Sequence, residues 1–368
     1  SIIGKMRRLT AAAAAMAAAA LVWQESYLPP FKTLVSFIAD PYTRPTFRYI
    51  AEFIRQSFDP WFPGAASVIG TAVYIAHRKR PIALALAAYV MLASAWIIQP
   101  RLRAAAAGGR TADAFYAEES ERKVAFKAPA PGARPFDILI LHICSLSWQD
   151  LKDSDYDISP FLSGFDYVFT SFGGATSYSG PSALRVLKSA CGQMPHNMLY
   201  ADSAPECYLM DKLRGTGYLP FTMLSHDGKY AHFAEHIQKY GRAAAPLGTD
   251  GLPVKYLMFD GTRLFPDGEA LDKFWTARQA SGAARAALYY NTDNLHIGTH
   301  VPGEDRGPDD ASAYRLRLSA MLAEISGFLE AVDRSGRSAM VIFVPEHGAA
   351  LSGSRIQAKD VREIPLPA

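Results

Sequence analysis

The residues Phe136-Asp137-Ile138-Leu139-Ile140-Leu141-His142-Ile143 set the tightest limit on the fold. A strand that is apolar almost throughout has no wet face, so it belongs inside a sheet covered on both sides, and sheets of that kind are parallel. Further strand patterns occur at Tyr167-Val168-Phe169, Tyr218 to Leu224, Ala286 to Tyr290 and Ser338 to Val344. Helical patterns separate them, the longest over 312–333. Strands alternating with helices predict an α/β fold with a mostly parallel sheet and helices on both faces. Ligands of such sheets gather at the carboxyl ends of the strands.

A chain of 368 residues exceeds one ordinary domain, and its 49% apolar content averages two unlike parts. Residues 9–23 are uncharged and end in Trp23, 62–76 are uncharged, and 81–99 run uncharged from Pro81 to Gln99. The last of these approaches the ~20 residues needed to cross a bilayer. The two shorter ones also suit buried core helices. His77-Arg78-Lys79-Arg80 precedes the third stretch, and basic residues collect on the cytoplasmic side, which predicts that everything after Pro100 lies outside. Residues 46–58 place Phe47, Ile50, Phe53, Ile54 and Phe58 on one helical face, suited either to the membrane surface or to packing on the spanning helices. From Arg101 to Pro135, runs such as Ala104 to Gly109 and Ala128 to Gly132 indicate a partly extended tether. The expected organisation is therefore transmembrane and interfacial helices over 1–100, a linker over 101–135 and a catalytic domain over 136–368. The chain reads as trimmed at both ends. A formal net charge of +3, with no basic run interleaved with aromatics, argues against nucleic acid as a partner.

Cys144, Ser179, His296 and the pair Glu346-His347 all fall at predicted strand ends or in the loop just after one. Thiolate, carboxylate and imidazole are zinc ligands, three protein ligands leave a fourth position open, and a serine oxygen there would be an activated nucleophile. Taken singly, each residue has a plainer reading: an inert buried thiol, a satisfied loop histidine, a solvated turn. Their arrival at one sheet edge favours the metal. Ser179 lies in the turn Thr170 to Arg185, with Pro181 suited to a first helical position. There it is either a helix N-cap or a nucleophile favoured by the helix dipole. No Gly-Lys-Ser/Thr of a P-loop is present, and Ser177 occupies the place where a Gly-x-Ser-x-Gly elbow needs glycine. With Cys144 assigned to the metal, Cys191 and Cys207 remain either to pair in an oxidising compartment or to ligate metal themselves.

The segments His142-Ile143-Cys144-Ser145-Leu146-Ser147-Trp148, Ala175 to Ala183, Cys191-Gly192-Gln193, Leu295 to His300 and Pro345 to Leu351 together resemble the bacterial cellulose phosphoethanolamine transferases. These are inner-membrane subunits of cellulose secretion systems. The resemblance implies an alkaline-phosphatase-like catalytic domain in the periplasm, a multi-pass membrane region, zinc as cofactor, phosphatidylethanolamine as donor and the 6-hydroxyl of cellulose glucose units as acceptor. It also implies the cellulose synthase complex subunits as partners. By motif, Ser179 matches the nucleophile, and Cys144, Glu346 and His347 match the zinc ligands, with Ser179 completing the set. Tyr178 and His296 match active-site neighbours, Arg362 a substrate-side arginine, and Cys191 with Cys207 a disulfide. Departures are His142, where the family pattern has Asn, fewer spanning helices, and no closing strand after the sheet. His142 and His300 are left as candidates for a second metal site.

Rival readings separate on the same residues. A sulfatase signature needs Arg two residues after Pro181, where Ala183 stands. Lipid A phosphoethanolamine transferases present Thr as nucleophile and an acid in place of Cys144. Another envelope glycan as acceptor remains open. A non-catalytic scaffold of the secretion complex would have no need of Cys144, Ser179, Glu346 and His347 together.

Overall fold

The computed structural model describes residues 112–174, 176, 178–258, 261–296, 298–303, 311–349 and 351. The three uncharged stretches, the 46–58 helix and Arg362 lie outside the described residues. Among the described residues no helix is long and apolar enough to cross a membrane.

In chain order the elements are α1 (Ala112–Ser120), β1 (Phe136–Ile143), α2 (Trp148–Asp153), α3 (Ser159–Leu162), α4 (Ser179–Leu187), α5 (Leu209–Gly215), β2 (Leu219–Leu224), α6 (Phe233–Gly241), β3 (Tyr256–Leu257), β4 (Arg263–Leu264), α7 (Asp267–Ala280), β5 (Ala286–Thr292), α8 (Ala311–Arg334) and β6 (Ser338–Pro345). Four strands form one sheet in the order β2-β5-β1-β6, every neighbouring pair parallel. β3 and β4 make a small antiparallel pair.

Side chains alternate across each strand, so the sheet has two apolar faces. Leu139, Leu141 and Ile143 of β1 pack with Leu288 and Tyr290 of β5 under α7 and α8, through Phe274, Tyr314, Leu318, Met321 and Ile325. Ile140 joins Ala287 and Tyr289 on the other face, under Ala183 and Leu187 of α4, Leu213 of α5 and Ile237 of α6. The expected parallel sheet with helices on both faces is therefore present. Burying these side chains supplies the main stabilising term, about 1.5–3 kcal/mol for each large one.

Two local expectations are overturned. Tyr167-Val168-Phe169 is not a strand: Tyr167 and Phe169 are 84% and 76% exposed. Both edges of β1 are already taken, by β5 and β6, so this short run has no place beside that strand. Part of the stretch expected as a tether is folded. α1 precedes a segment in which Val124 N–H donates to Ala190 O and Arg122 O accepts from Gly192 N–H, both at 2.9 Å. Glu119 takes the Gln193 N–H at 2.7 Å. A side chain on Gly192 would strike the Glu119 carbonyl at 2.1 Å, so this close approach requires glycine.

Candidate functional site

Strand ends build the site. Beyond β1 the ladder runs on, with Cys144 N–H donating to Thr292 O at 3.1 Å and Glu346 N–H to Ile143 O at 2.8 Å. Leu146 N–H then reaches His347 O at 2.8 Å, joining the loop after β1 to the loop after β6. Ser145 adopts a left-handed backbone with φ 59°, and Tyr314 of α8 donates its hydroxyl to Ser145 O at 2.8 Å. These contacts fix Cys144, fully buried, beside Glu346 and His347.

Ser179 arrives from the other side as the first residue of α4, not as its cap. Tyr178 is the N-cap, with an extended backbone and no side-chain capping bond, and Pro181 stands third in the helix instead of first. Proline fits there because the N–H groups of a first helical turn have no intrahelical partner. The Ser179 hydroxyl faces the sheet edge, with Oγ 3.3 Å from Cys144 Sγ and 3.4 Å from His347 Nε2. The capping alternative is thereby removed.

Ligand atoms of Cys144, Glu346 and His347 all lie within 4.8 Å of one another, the one such group among the described residues. Cys144 Sγ and His347 Nε2 are 3.6 Å apart. Asn291, at the end of β5, donates Nδ2–H to Glu346 Oε1 at 2.6 Å. The other carboxylate oxygen, Oε2, is buried and accepts no hydrogen bond among the described residues; His347 Nε2 stands 3.7 Å away. Burial first, and the Asp293 carboxylate second, push the Glu346 pKa up to about 8. Burial, Glu346 and Asp293 likewise push the Cys144 thiol well up. Burial holds the His347 imidazole down, and His296 adds to this, which keeps it in the neutral form that binds metal. An orphaned buried oxygen, a thiol and a neutral imidazole crowded by carboxylates fit a cation, and this donor set suits zinc.

The remaining expected residues scatter in position. His296 is half-buried near His347, its N–H donating to Asp293 O at 2.9 Å. Tyr178 is 60% exposed beside Ser179. Cys191 and Cys207 form a disulfide that closes the loop between α4 and α5. His142 is wholly buried behind the site, linked by Nδ1 to the Tyr289 hydroxyl at 3.0 Å and by Nε2 to Ser182 Oγ at 3.2 Å, with Glu346 Oε1 3.3 Å from Nδ1. Burial above all holds its pKa to about 3. It therefore supports Glu346 and α4 from behind as a neutral ring. His300 is joined to Leu257 of β3 by a backbone hydrogen bond in each direction, so the structure places neither histidine in a second group of three ligands among the described residues. Asn291 and Asp293 are absent from the sequence reading, which ends the β5 strand at Tyr290. The available signal was a polar Asn closing an apolar strand at its carboxyl end.

Fold and site define an α/β domain whose parallel sheet brings a serine hydroxyl to three side chains, Cys144, Glu346 and His347, that could hold a metal ion at its carboxyl edge. The chain belongs to the family described as cellulose biosynthesis protein BcsG C-terminal domain, which matches residues 99–368. It is 38% identical over 255 residues to the cellulose biosynthesis protein BcsG of Escherichia coli (strain K12), covering 69% of this chain and 45% of that protein. The same figures hold for BcsG of Salmonella typhimurium (strain LT2). The chain thus spans about half the length of the curated relatives it matches. Two solved structures show similarity at 14% identity. One is a protein in the alkaline phosphatase superfamily from Vibrio parahaemolyticus, with TM-score 0.49 over 67% of this chain and 65% of that one. The other is the Streptococcus pyogenes phosphoglycerol transferase GacH in complex with sn-glycerol-1-phosphate, with TM-score 0.42 over 68% and 70%.

Proposed function

We propose that this chain is a zinc-dependent transferase that moves phosphoethanolamine from phosphatidylethanolamine to the 6-hydroxyl of cellulose glucose units through a Ser179 adduct. The observation that carries the reading is the Ser179 hydroxyl, which caps nothing and lies 3.3 Å from Cys144 Sγ and 3.4 Å from His347 Nε2. Membership of the cellulose biosynthesis family supports cellulose as the acceptor, and the synthase complex as the setting. Cys144, Glu346 and His347 would hold the zinc. When bound, it supplies the positive charge that favours an ionised serine and offsets charge on the phosphoryl oxygens. Ser179 Oγ attacks the phosphorus; its bond to phosphorus forms as the bond to the diacylglycerol oxygen breaks, and diacylglycerol leaves with a proton. The glucose 6-oxygen then attacks the same phosphorus and displaces Ser179 Oγ, while His296 takes the proton of the incoming hydroxyl. Tyr178 borders the entry to Ser179, and Arg362 is assigned to the phosphoryl oxygens from the sequence resemblance alone. Spanning helices within 1–100 would hold the catalytic domain on the periplasmic side of the inner membrane, where a lipid headgroup is within reach.

The test is mass spectrometry of the purified chain after incubation with phosphatidylethanolamine. A phosphoethanolamine adduct on Ser179 is expected. Ser179→Ala should lose the adduct and all transfer while keeping its zinc, since three protein ligands remain. Transfer that survives in Ser179→Ala refutes the nucleophile.

A further inference from the structure

A cluster of aromatic rings begins one residue beyond Ser179 and takes no part in the reaction steps above. A Cβ placed on Gly180 would stand 3.5 Å from the Tyr200 hydroxyl, so that hydroxyl lies against the start of α4. Around the Tyr200 ring stand His196 at 5.8 Å, His236 at 5.4 Å and Tyr240 at 5.8 Å between centroids, all edge to face. His236 also meets Tyr240 at 5.6 Å and His232 at 5.9 Å. His196, Tyr200, His232, His236 and Tyr240 are all partly exposed to solvent.

The frame that holds these rings is rigid. The segment bearing His196 and Tyr200 is closed by the Cys191–Cys207 disulfide, and the buried Lys188 of α4 donates to Leu199 O at 2.8 Å and Ala201 O at 2.7 Å. α6, which carries His236 and Tyr240, packs so closely on α4 that a Cβ on Gly241 would meet Leu187 at 2.6 Å. Ala231 and His232 enter α6 with φ of 49° and 56°, a left-handed backbone that costs residues with a side chain about 1–3 kcal/mol each.

The chemistry of the cluster selects among ligands. Lys239 Nζ already lies 5.0 Å from the Tyr240 ring centre and the Arg242 guanidinium 4.1 Å from the Tyr208 ring, so a cationic headgroup would meet like charge. Burial holds the His236 pKa below its ordinary value, which keeps the ring between Tyr200 and Tyr240 uncharged. Amphipathic rings with hydroxyl and imidazole tips suit a neutral polyhydroxyl molecule, whose sugar rings offer apolar faces edged by hydroxyls.

We propose that His196, Tyr200, His236 and Tyr240 form the acceptor subsite, where glucan sugar units lie against the rings with one 6-hydroxyl turned toward Ser179. This rests on the transferase reading given above. The experiment titrates the chain from Ser1 to Ala368 with cellopentaose, without donor, while the side-chain 1H–15N signals of the histidines are followed. The signals of His196 and His236 should move. Tyr240→Ala should weaken cellopentaose binding about tenfold, and Tyr240→Phe, which keeps the ring, less than about twofold. Histidine signals that stay fixed at saturating cellopentaose, or Tyr240→Ala binding as tightly as the parent, overturn the subsite. Formation of the Ser179 adduct from phosphatidylethanolamine, measured on the same preparation, separates the two readings. An adduct without contact at these rings defeats the subsite alone, whereas contact without an adduct upholds glucan binding at the rings and defeats their role as an acceptor subsite together with the transferase chemistry.

Discussion

The sheet buries a carboxylate at each of its two edges, and the two have opposite surroundings. At the amino edge Asp137 of β1 is fully buried, with both oxygens engaged: Arg278 donates Nε–H at 2.6 Å and Nη2–H at 3.0 Å, Arg337 donates Nε–H at 3.1 Å, and Ala286 N–H adds 2.8 Å. Burial works to raise its pKa, but the hydrogen bonds from Arg278, Arg337 and Ala286 outweigh it and hold the group below the ordinary carboxylate range. At the carboxyl edge Glu346 is as deeply buried, yet Asn291 engages only one of its oxygens and the pKa rises to about 8. Burial is therefore not what separates the two carboxylates. The difference is whether its lone pairs are spent inside the protein. A closed network fastens α7 and β5 to β1; an open one leaves a place for a cation.

The largest expected effect breaks the open end. Cys144→Ala, Glu346→Ala and His347→Ala should each lose most of the roughly one zinc per chain, and transfer with it, by metal analysis of the purified variants. Three variants at full occupancy would show that the orphaned oxygen is not a ligand.

Next in size is the closed end. Asp137→Asn leaves the buried Arg278 without its counter-charge and should cost about 3–5 kcal/mol in denaturant unfolding, with zinc content unchanged. The pH dependence follows from the depressed folded pKa. The stability that Asp137 contributes is complete above the unfolded value, about pH 4, and is lost as pH falls through the folded value. The gap between parent and Asp137→Asn should hold steady from pH 7 to 5 and narrow below pH 4. A gap that stays constant to pH 2 would mean that Asp137 acts by packing.

How far these edges are legible in the sequence follows from the period of the strands. Phe136 to Ile143 discloses a doubly covered strand because nearly every position is apolar, and Cys144, Ser179, Glu346 and His347 stand out because metal donors fall where strands end. The start of α4 does not show, since a proline is tolerated throughout the first turn and Pro181 cannot mark which residue is first. Tyr167 to Phe169 misleads because β propensity reflects a packed, half-buried surface that three residues ending at an exposed turn never acquire. The Asp137–Arg278–Arg337 network joins positions more than 140 residues apart in the chain, a pairing no local pattern discloses.

The smallest effect separates the two ends most finely. Asn291 is to Glu346 what Arg278 is to Asp137, a donor that orients a buried carboxylate, but it carries no charge and bonds one oxygen only. It also donates Nδ2–H to His142 O at 3.1 Å, and its Oδ1 accepts from His226 Nε2–H at 3.0 Å, so its amide is fixed from both sides. Removing a group that orients a metal ligand typically lowers affinity about 10–100-fold and leaves the ligands in place. Asn291→Ala should therefore still bind zinc when it is in excess, yet release it to a competing chelator at about 10–100-fold lower chelator concentration than the parent. Asn291→Asp, which sets a second carboxylate beside Glu346, should weaken folding of the metal-free protein further, since two buried acids repel at that distance. If chelator competition gives the parent value for Asn291→Ala, the carboxyl edge does not depend on orientation from β5, and the likeness between the two carboxylates ends at their burial.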